Sequence, residues 1–388
     1  MKALKNLLKQ RKRRGRKVNV LYFFIGTEAE LMKMFKVIER ARQEGFECKI
    51  ISNGQNIVTD SPFLEMSGGK IDIDLSENAS KSKDSKGYLK WFLKTTKLGI
   101  KTMKRERKNH PEDNCMMVVH GDTLSTLMGA IIAKRTKIEY VHVESGLRSY
   151  HWFSPFPEEI DRFFSSLNSK INFCPKDSYA EYAQKRFKGK AVSTKYNTGI
   201  ETLYYALEEN KKNEIERLIE EKYFVLAIHR QENLMNRSFM ENMVDSVMKL
   251  SEKMKCLFIY HVQTYDALCK YELWDKINNN PNVKIVKRLP YCEFIDAVYK
   301  SEFVVADGCG NQQEFYYLGK PYLIMRTQVE EDSEGLGWNA KYFGSDFTQV
   351  ENFVEEYHKY IKDEIWPEKM PSKIIVDELK SYFEEKKK

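Results

Sequence analysis

Short runs of β-branched and aromatic residues alternate with longer stretches whose apolar positions recur every three or four residues, from Val18 almost to the last residue. Val18 to Ile25 predicts a strand, Glu28 to Gln43 a helix, Glu47 to Ser52 a strand and Gly87 to Lys108 a long helix. Strands at Met116 to His120 and Ile138 to Val143 flank a helix over Thr126 to Arg135. A helix from Pro157 to Leu167 leads into Ile171 to Cys174, Ser178 to Phe187 and Ala191 to Asn197. A polar, charged segment, Leu207 to Glu221, interrupts the pattern. It restarts with Tyr223 to Ile228, Met240 to Met254, Cys256 to His261 and Asp266 to Asn278, then Val283 to Ile285, Tyr291 to Lys300, Phe303 to Ala306, Glu314 to Gly319 and Tyr322 to Met325. Ser372 to Lys388 reads as a closing amphipathic helix. Strands separated by helices need crossover connections, so the fold class is α/β with parallel sheets. The two sets predict two doubly wound halves joined near residue 200. Ligands in such sheets sit outside the carboxyl ends of the strands, which puts the expected site in an interdomain cleft.

The 388 residues, 42% hydrophobic and 31% charged, make a globular chain too long for a single small binding module. Four segments are expected: a basic N-terminal extension over 1–17, a first domain over 18–200, a second over 201–370, and a closing helix over 371–388. Seven widely spaced cysteines form no CxxC pair and read as reduced thiols of a cytoplasmic protein. The apolar runs fall far short of the roughly 20 residues that span a bilayer.

The net charge of +8 is local, since residues 1 to 18 hold nine basic side chains and no acid, which leaves the rest of the chain near neutral. Nucleic-acid binding is therefore not expected of the folded body, which lacks a broad basic face. Lys86, Lys90, Lys94, Lys97, Lys101, Lys104 and Lys108 recur at helical spacing. Together with the basic N-terminus, this 86–108 helix could contact an anionic membrane peripherally, at the inner face; a plain solvated helix face is the alternative.

Chemistry gathers where strands end. His120, Gly121, Asp122 and Thr123 follow one strand, and Glu144, Ser145, Gly146, Leu147 and Arg148 follow the next. A helix cap would explain an Asp or Thr at the first turn. Glu158 and Arg162 are four residues apart, on one helix face. Three acids and a base at such turns suit proton abstraction and return. In the second half His229 and Arg230 follow an apolar strand, a pairing suited to an anion such as phosphate. Asp307, Gly308, Cys309 and Gly310 form a glycine turn ahead of Gln312 and Glu314, where helix-start amides suit a pyrophosphate and Glu314 suits ribose hydroxyls. Neither GxGxxG nor a P-loop is present, and no HExxH, EF-hand or clustered histidines mark a metal.

At these residues the chain resembles the UDP-N-acetylglucosamine 2-epimerase family. The matching text is HGDT at His120 to Thr123, HVESGLRS at His142 to Ser149, SPFPEEIDR at Ser154 to Arg162, NTGI at Asn197 to Ile200, HRQEN at His229 to Asn233 and LGKPYLIMR at Leu318 to Arg326. The resemblance implies the GT-B fold of two Rossmann-like domains with the 371–388 helix returning to the first, a UDP-sugar substrate, no metal or nicotinamide cofactor, and a homodimer. The implied reaction removes the proton at carbon 2 as UDP leaves carbon 1, then returns UDP to the glycal after reprotonation on the other face; hydrolysing members add water instead. It implies Asp122, Glu144 and Glu158 as the acid/base group, Arg162 as their electrostatic support and His229 at the departing pyrophosphate. The implied substrate-binding set is Gly26, Thr27, Lys33, Arg230, His261, Gly308, Gly310, Gln312, Glu314 and Arg326.

This chain also departs from the family pattern. Glu28 stands where the family has an arginine after Gly-Thr, Asp-Gly-Cys-Gly replaces Asp-Ser-Gly-Gly at Asp307 to Gly310, and Gln-Asn-Ile replaces Gln-His-Arg at Gln55 to Ile57. Glu330 to Asp332 lacks the Arg-Pro-Glu expected there. A glycosyltransferase of the same architecture acting on a membrane-associated glycan, and a non-catalytic sugar-nucleotide sensor, are the competing readings.

Overall fold

The computed structural model describes residues 18–76, 85–111, 113–147, 158–213, 218–308, 311–326 and 335–386, without the side chains of 85, 86 and 158. The chain divides into two compact units, Met1–Glu201 with Glu368–Lys388, and Thr202–Pro367.

The first unit is built on a seven-stranded sheet of order β3-β2-β1-β4-β5-β6-β7, every pair parallel. Its strands are β1 (Asn19–Ile25), β2 (Glu47–Ser52), β3 (Ile73–Asp74), β4 (Asn114–His120), β5 (Glu139–Val143), β6 (Ile171–Cys174) and β7 (Lys190–Ser193). Val20 to Ile25 are all buried, as a parallel strand covered on both faces requires. One face packs Val20, Tyr22, Phe24, Met117 and Val119 against Trp91, Met103, Met128 and Ile132 of the helices Ser85–Asn109 and Leu124–Thr136. The helix Pro371–Glu385 belongs to this unit, where Phe383 meets Phe46 at 5.6 Å between ring centroids.

The second unit is a six-stranded parallel sheet of order β10-β9-β8-β11-β12-β13. It comprises β8 (Tyr223–Ala227), β9 (Lys255–Tyr260), β10 (Val283–Lys287), β11 (Val304–Ala306), β12 (Tyr322–Ile324) and β13 (Ala340–Tyr342). Phe224, Leu226, Met243, Val247, Phe258 and Phe303 form its core.

Three differences from the sequence reading have local causes. The stretch from Leu207 is helical as far as Asn213, continuing a helix that starts at Gly199, because Leu203, Ala206 and Leu207 still bury an apolar stripe ahead of the charges. Asp266 to Asn278 is two helices, Val262–Lys270 and Trp274–Asn278, separated where Glu272 takes a left-handed φ of 60°. The strands β3 and β13 span two and three residues, too few to leave an alternating pattern.

Candidate functional site

In both sheets the strand order reverses direction beside the first strand, between β1 and β4 and between β8 and β11. Such switch points open a crevice at the carboxyl ends of the strands, and the polar residues singled out from the sequence lie at those ends.

After β4, Gly121 adopts φ 73°, which a side chain would resist, and its N–H donates to Val143 O at 2.9 Å. Thr123 caps the helix Leu124–Thr136, its hydroxyl accepting from the N–H groups of Ser125 and Thr126. Capping thus falls to Thr123 and leaves Asp122 for another partner. Arg162, from the helix Glu158–Ser166, donates to Asp122 Oδ2 through Nε at 2.8 Å and places Nη2 2.7 Å away. A charge-assisted contact of this length fixes both side chains. The Glu158 side chain, the neighbouring Arg148 and the SPFP run lie outside the described residues.

Glu144 follows β5 with φ 66°, a left-handed backbone that costs a non-glycine residue about 1–3 kcal/mol. Its carboxylate accepts from Lys33 Nζ at 3.1 and 3.0 Å, and His120 Nε2 lies 2.9 Å from Oε2. Burial alone raises the pKa of this carboxyl, but Lys33 and His120 outweigh it and hold the group well below the usual carboxylate range.

A buried hydrogen-bond chain positions both turns. His142 Nε2 meets Gly121 O at 2.7 Å and Nδ1 meets Ser166 Oγ at 2.9 Å. Ser166 also contacts Ser145 Oγ at 2.8 Å, and Ser145 donates to Asn172 at 3.0 Å. The Asp122 turn, the Glu144 turn and the Arg162 helix are thereby tied together. Burial pushes the His142 pKa down to about 4, so the ring is neutral at pH 7. At the end of β1, buried Glu30 accepts from Gly26 N at 2.6 Å, from Thr27 N at 3.2 Å and from the Thr123 hydroxyl. Gly26 leaves no room for a Cβ, which would lie 1.7 Å from Ser125 Oγ. Glu28, by contrast, is exposed on the first turn of its helix.

The sequence reading gave His142, Ser166 and Glu30 no role. The Thr27-to-Glu30 capping-box spacing was a usable signal for Glu30, whereas nothing in the local pattern marks His142 or Ser166.

In the second unit Asp307, fully buried, accepts from His229 N at 3.0 Å, Arg230 N at 2.9 Å and Asn233 Nδ2 at 2.9 Å. It therefore clamps the loop after β8 to the end of β11. The His229 ring stacks on His261, centroids 4.9 Å apart, and a Cβ on Gly308 would come 2.7 Å from His229 Cε1. Burial first, then His229 and Arg288, lower the His261 pKa to about 4. His229 and His261 line a depression of about 590 Å³ with Gln231, Asp266 and Lys270, and His261 also lines a neighbouring one of about 860 Å³ with Tyr260, Tyr265, Trp274, Lys287 and Arg288. Gln312 and Glu314 are buried, Glu314 beside the Tyr291 hydroxyl, whose pKa burial and Glu314 push well up. Arg326 follows β12 half-buried, and Gly310 lies outside the described residues. Among the described residues no group of three or more His, Cys, Asp or Glu could hold a metal ion, and no helix is long and apolar enough to cross a membrane.

This arrangement can be set against known proteins. The chain is 26% identical over 324 residues to the UDP-N-acetylglucosamine 2-epimerase of Methanocaldococcus jannaschii, covering 80% of this chain and 84% of that one. It is 27% identical over 376 residues to that of Neisseria meningitidis serogroup A, covering 91% and 97%. The crystal structure of the Neisseria meningitidis UDP-GlcNAc 2-epimerase bound to UDP-GlcNAc superposes with a TM-score of 0.76 at 25% identity, covering 94% of this chain and 100% of that one. Two Rossmann-like domains with parallel sheets, as in the GT-B fold, are common to both. Residues 39–372 match the family described as UDP-N-acetylglucosamine 2-epimerase, and the chain belongs to that family.

Proposed function

We propose that the chain inverts carbon 2 of a UDP-N-acetylhexosamine, with UDP-N-acetylglucosamine as the first substrate to test, in the supply of cell-surface polysaccharide precursors. The observation that carries this reading is the pair of carboxylates at adjacent strand ends, each with its own cation, Asp122 with Arg162 and Glu144 with Lys33, and with His120 beside Glu144. In the proposed reaction a carboxylate accepts the carbon 2 proton, the C–H electrons form the carbon 1–carbon 2 double bond, and UDP leaves with the carbon 1–oxygen bonding pair. A proton delivered to the opposite face of carbon 2 and return of UDP to carbon 1 complete the inversion.

Glu144 is anionic at neutral pH, the form a base needs, and the adjacent Lys33 ammonium keeps it so after desolvation by substrate. Asp122, Glu144 and Glu158 form the acid/base group in this reading, and Arg162 orients Asp122. His229 and Arg230 meet the diphosphate, as their backbone clamp on Asp307 holds both on one turn. Gly26, Thr27, Lys33, His261, Gly308, Gly310, Gln312, Glu314 and Arg326 complete the substrate contacts.

The test is incubation with UDP-N-acetylglucosamine in deuterated water, followed by NMR of the sugar. Deuterium at carbon 2 in recovered substrate and epimer is expected. No exchange, together with sugar transfer to an added glycan acceptor, would overturn the reading in favour of a glycosyltransferase.

A further inference from the structure

The helix Ser85–Asn109 buries Trp91, Thr95, Gly99 and Met103 against the first unit. Its contact is close, since a Cβ on Gly99 would lie 2.4 Å from Ile132 Cδ1. The opposite side is a row of exposed lysines, Lys90, Lys94, Lys97, Lys101, Lys104 and Lys108. None of them takes part in an ion pair among the described residues, and the one acid of the helix, Glu106, pairs with Lys49 at 3.1 Å. Like charges four residues apart disfavour a helix, so this row brings no benefit to the fold itself. On the shoulder of the same face Leu89 and Leu93 are 61% and 59% exposed, with Tyr88 beside them at 50%.

A second feature lies at the far end of that helix. Val18, where the described chain begins, donates through its N–H to Asp113 Oδ1 at 3.4 Å, and Asp113 N–H donates to His110 O at 3.3 Å. Val18 is thereby bonded beside the end of the lysine helix. Residues 1–17 precede it in the sequence and carry nine basic side chains and no acid.

We propose that this face docks on an anionic phospholipid bilayer, its lysines against the headgroups and Leu89 and Leu93 in the headgroup–acyl boundary. A helix with exposed leucines beside its lysines fits a lipid surface, which takes up both. A nucleic-acid backbone would meet the lysines but leave the leucines in water. The docking face contains none of Lys33, Asp122, Glu144 or Arg162, so turnover of a soluble substrate does not depend on it.

The test is cosedimentation of the full chain with phosphatidylcholine vesicles, with and without phosphatidylglycerol. Binding is expected only with phosphatidylglycerol and should weaken as salt is raised. A variant carrying Lys90→Gln, Lys94→Gln, Lys97→Gln and Lys101→Gln should partition at least about tenfold less. Leu89→Ser with Leu93→Ser should also bind more weakly, and both variants should keep the parent's melting temperature and turnover. Deleting residues 1–17 should leave binding that still responds to the lysine changes. Equal binding to both vesicle types, or undiminished binding by the four-lysine variant, would overturn the proposal. Release from phosphatidylglycerol vesicles by duplex DNA at equal charge concentration would overturn it in favour of a nucleic-acid partner.

Discussion

Glu144 combines a left-handed backbone, a buried carboxylate and two basic neighbours, three features that folding alone would not select together. Its pKa is depressed, so the stability it contributes is present above the ordinary carboxylate range and is lost as the pH falls below it. Lys33→Met removes the main cation and leaves burial dominant. The acid-induced loss should then begin at a higher pH, and the urea midpoint at pH 7 should fall by about 3 kcal/mol equivalent. Glu144→Gln keeps the shape but cannot accept a proton, and Asp122→Asn likewise; each should slow carbon 2 deuterium exchange by about 10²–10⁴-fold, and Glu144→Gln should also lower the melt because Lys33 loses its charged partner. Exchange at the parent rate in either variant would remove that carboxylate from the chemistry. In the second unit Gly308→Ala presses on the His229 ring, whose Cε1 would lie 2.7 Å from the added Cβ. Steady-state assays should show a lower kcat with a stability cost of about 1–3 kcal/mol. Asp122, Glu144 and His229 drew attention in the sequence because each falls within two residues of the end of an apolar strand. His142 and Ser166 did not, since the two partners of His142 lie 21 and 24 residues away along the chain.

Among the elements, the central strands were the most legible: Glu47–Ser52 and Ile171–Cys174 carry the expected bounds, and β1 and β8 differ by a residue at one end. Parallel strands covered on both faces read as unbroken apolar runs, so their signal is strong. The helix Thr348–Glu356 and β13 lacked that advantage, being short and interrupted by charged residues. What the strand pattern could not convey is how β5 is tied to its neighbours. His142 lies on β5 and bonds to the turn after β4 and to the helix Glu158–Ser166, so one ring holds three elements. Its pKa is lowered from 6.5 to about 4, which means the unfolded chain binds the extra proton first. The associated stability is complete above pH 6.5 and drains away as the pH falls towards 4, on the order of 3 kcal/mol in all. His142→Asn should flatten that part of the pH dependence of the urea midpoint. It should also lower kcat more than it raises KM, because the Asp122 and Glu144 turns lose their shared tether.

At the scale of the whole molecule, the chain builds the first unit, passes through the second at Thr202–Pro367 and comes back to the first at Glu368. The returning helix Pro371–Glu385 is held by apolar and polar contacts of different kinds. Ile375, Val376, Leu379 and Phe383 are buried. At its start Ser372 donates from N–H and hydroxyl to the two oxygens of Glu201 at 2.6 and 2.7 Å, and Arg40 donates to the Ser372 hydroxyl at 2.8 Å. Burial raises the Glu201 pKa, and the Ser372 bonds work against that rise without cancelling it. The stability of the first unit should therefore depend on residues at the far end of the sequence, while that of the second should not. Phe383→Ala removes the ring that packs on Phe46 and should cost about 3–5 kcal/mol. In hydrogen exchange followed by peptide mass spectrometry, the loss of protection should appear in β1, β2 and the helix Glu28–Gln43 and spare β8, β9 and β11. Equal loss in both sheets would mean that the two units unfold as one cooperative body, and that the returning helix stabilises the molecule as a whole.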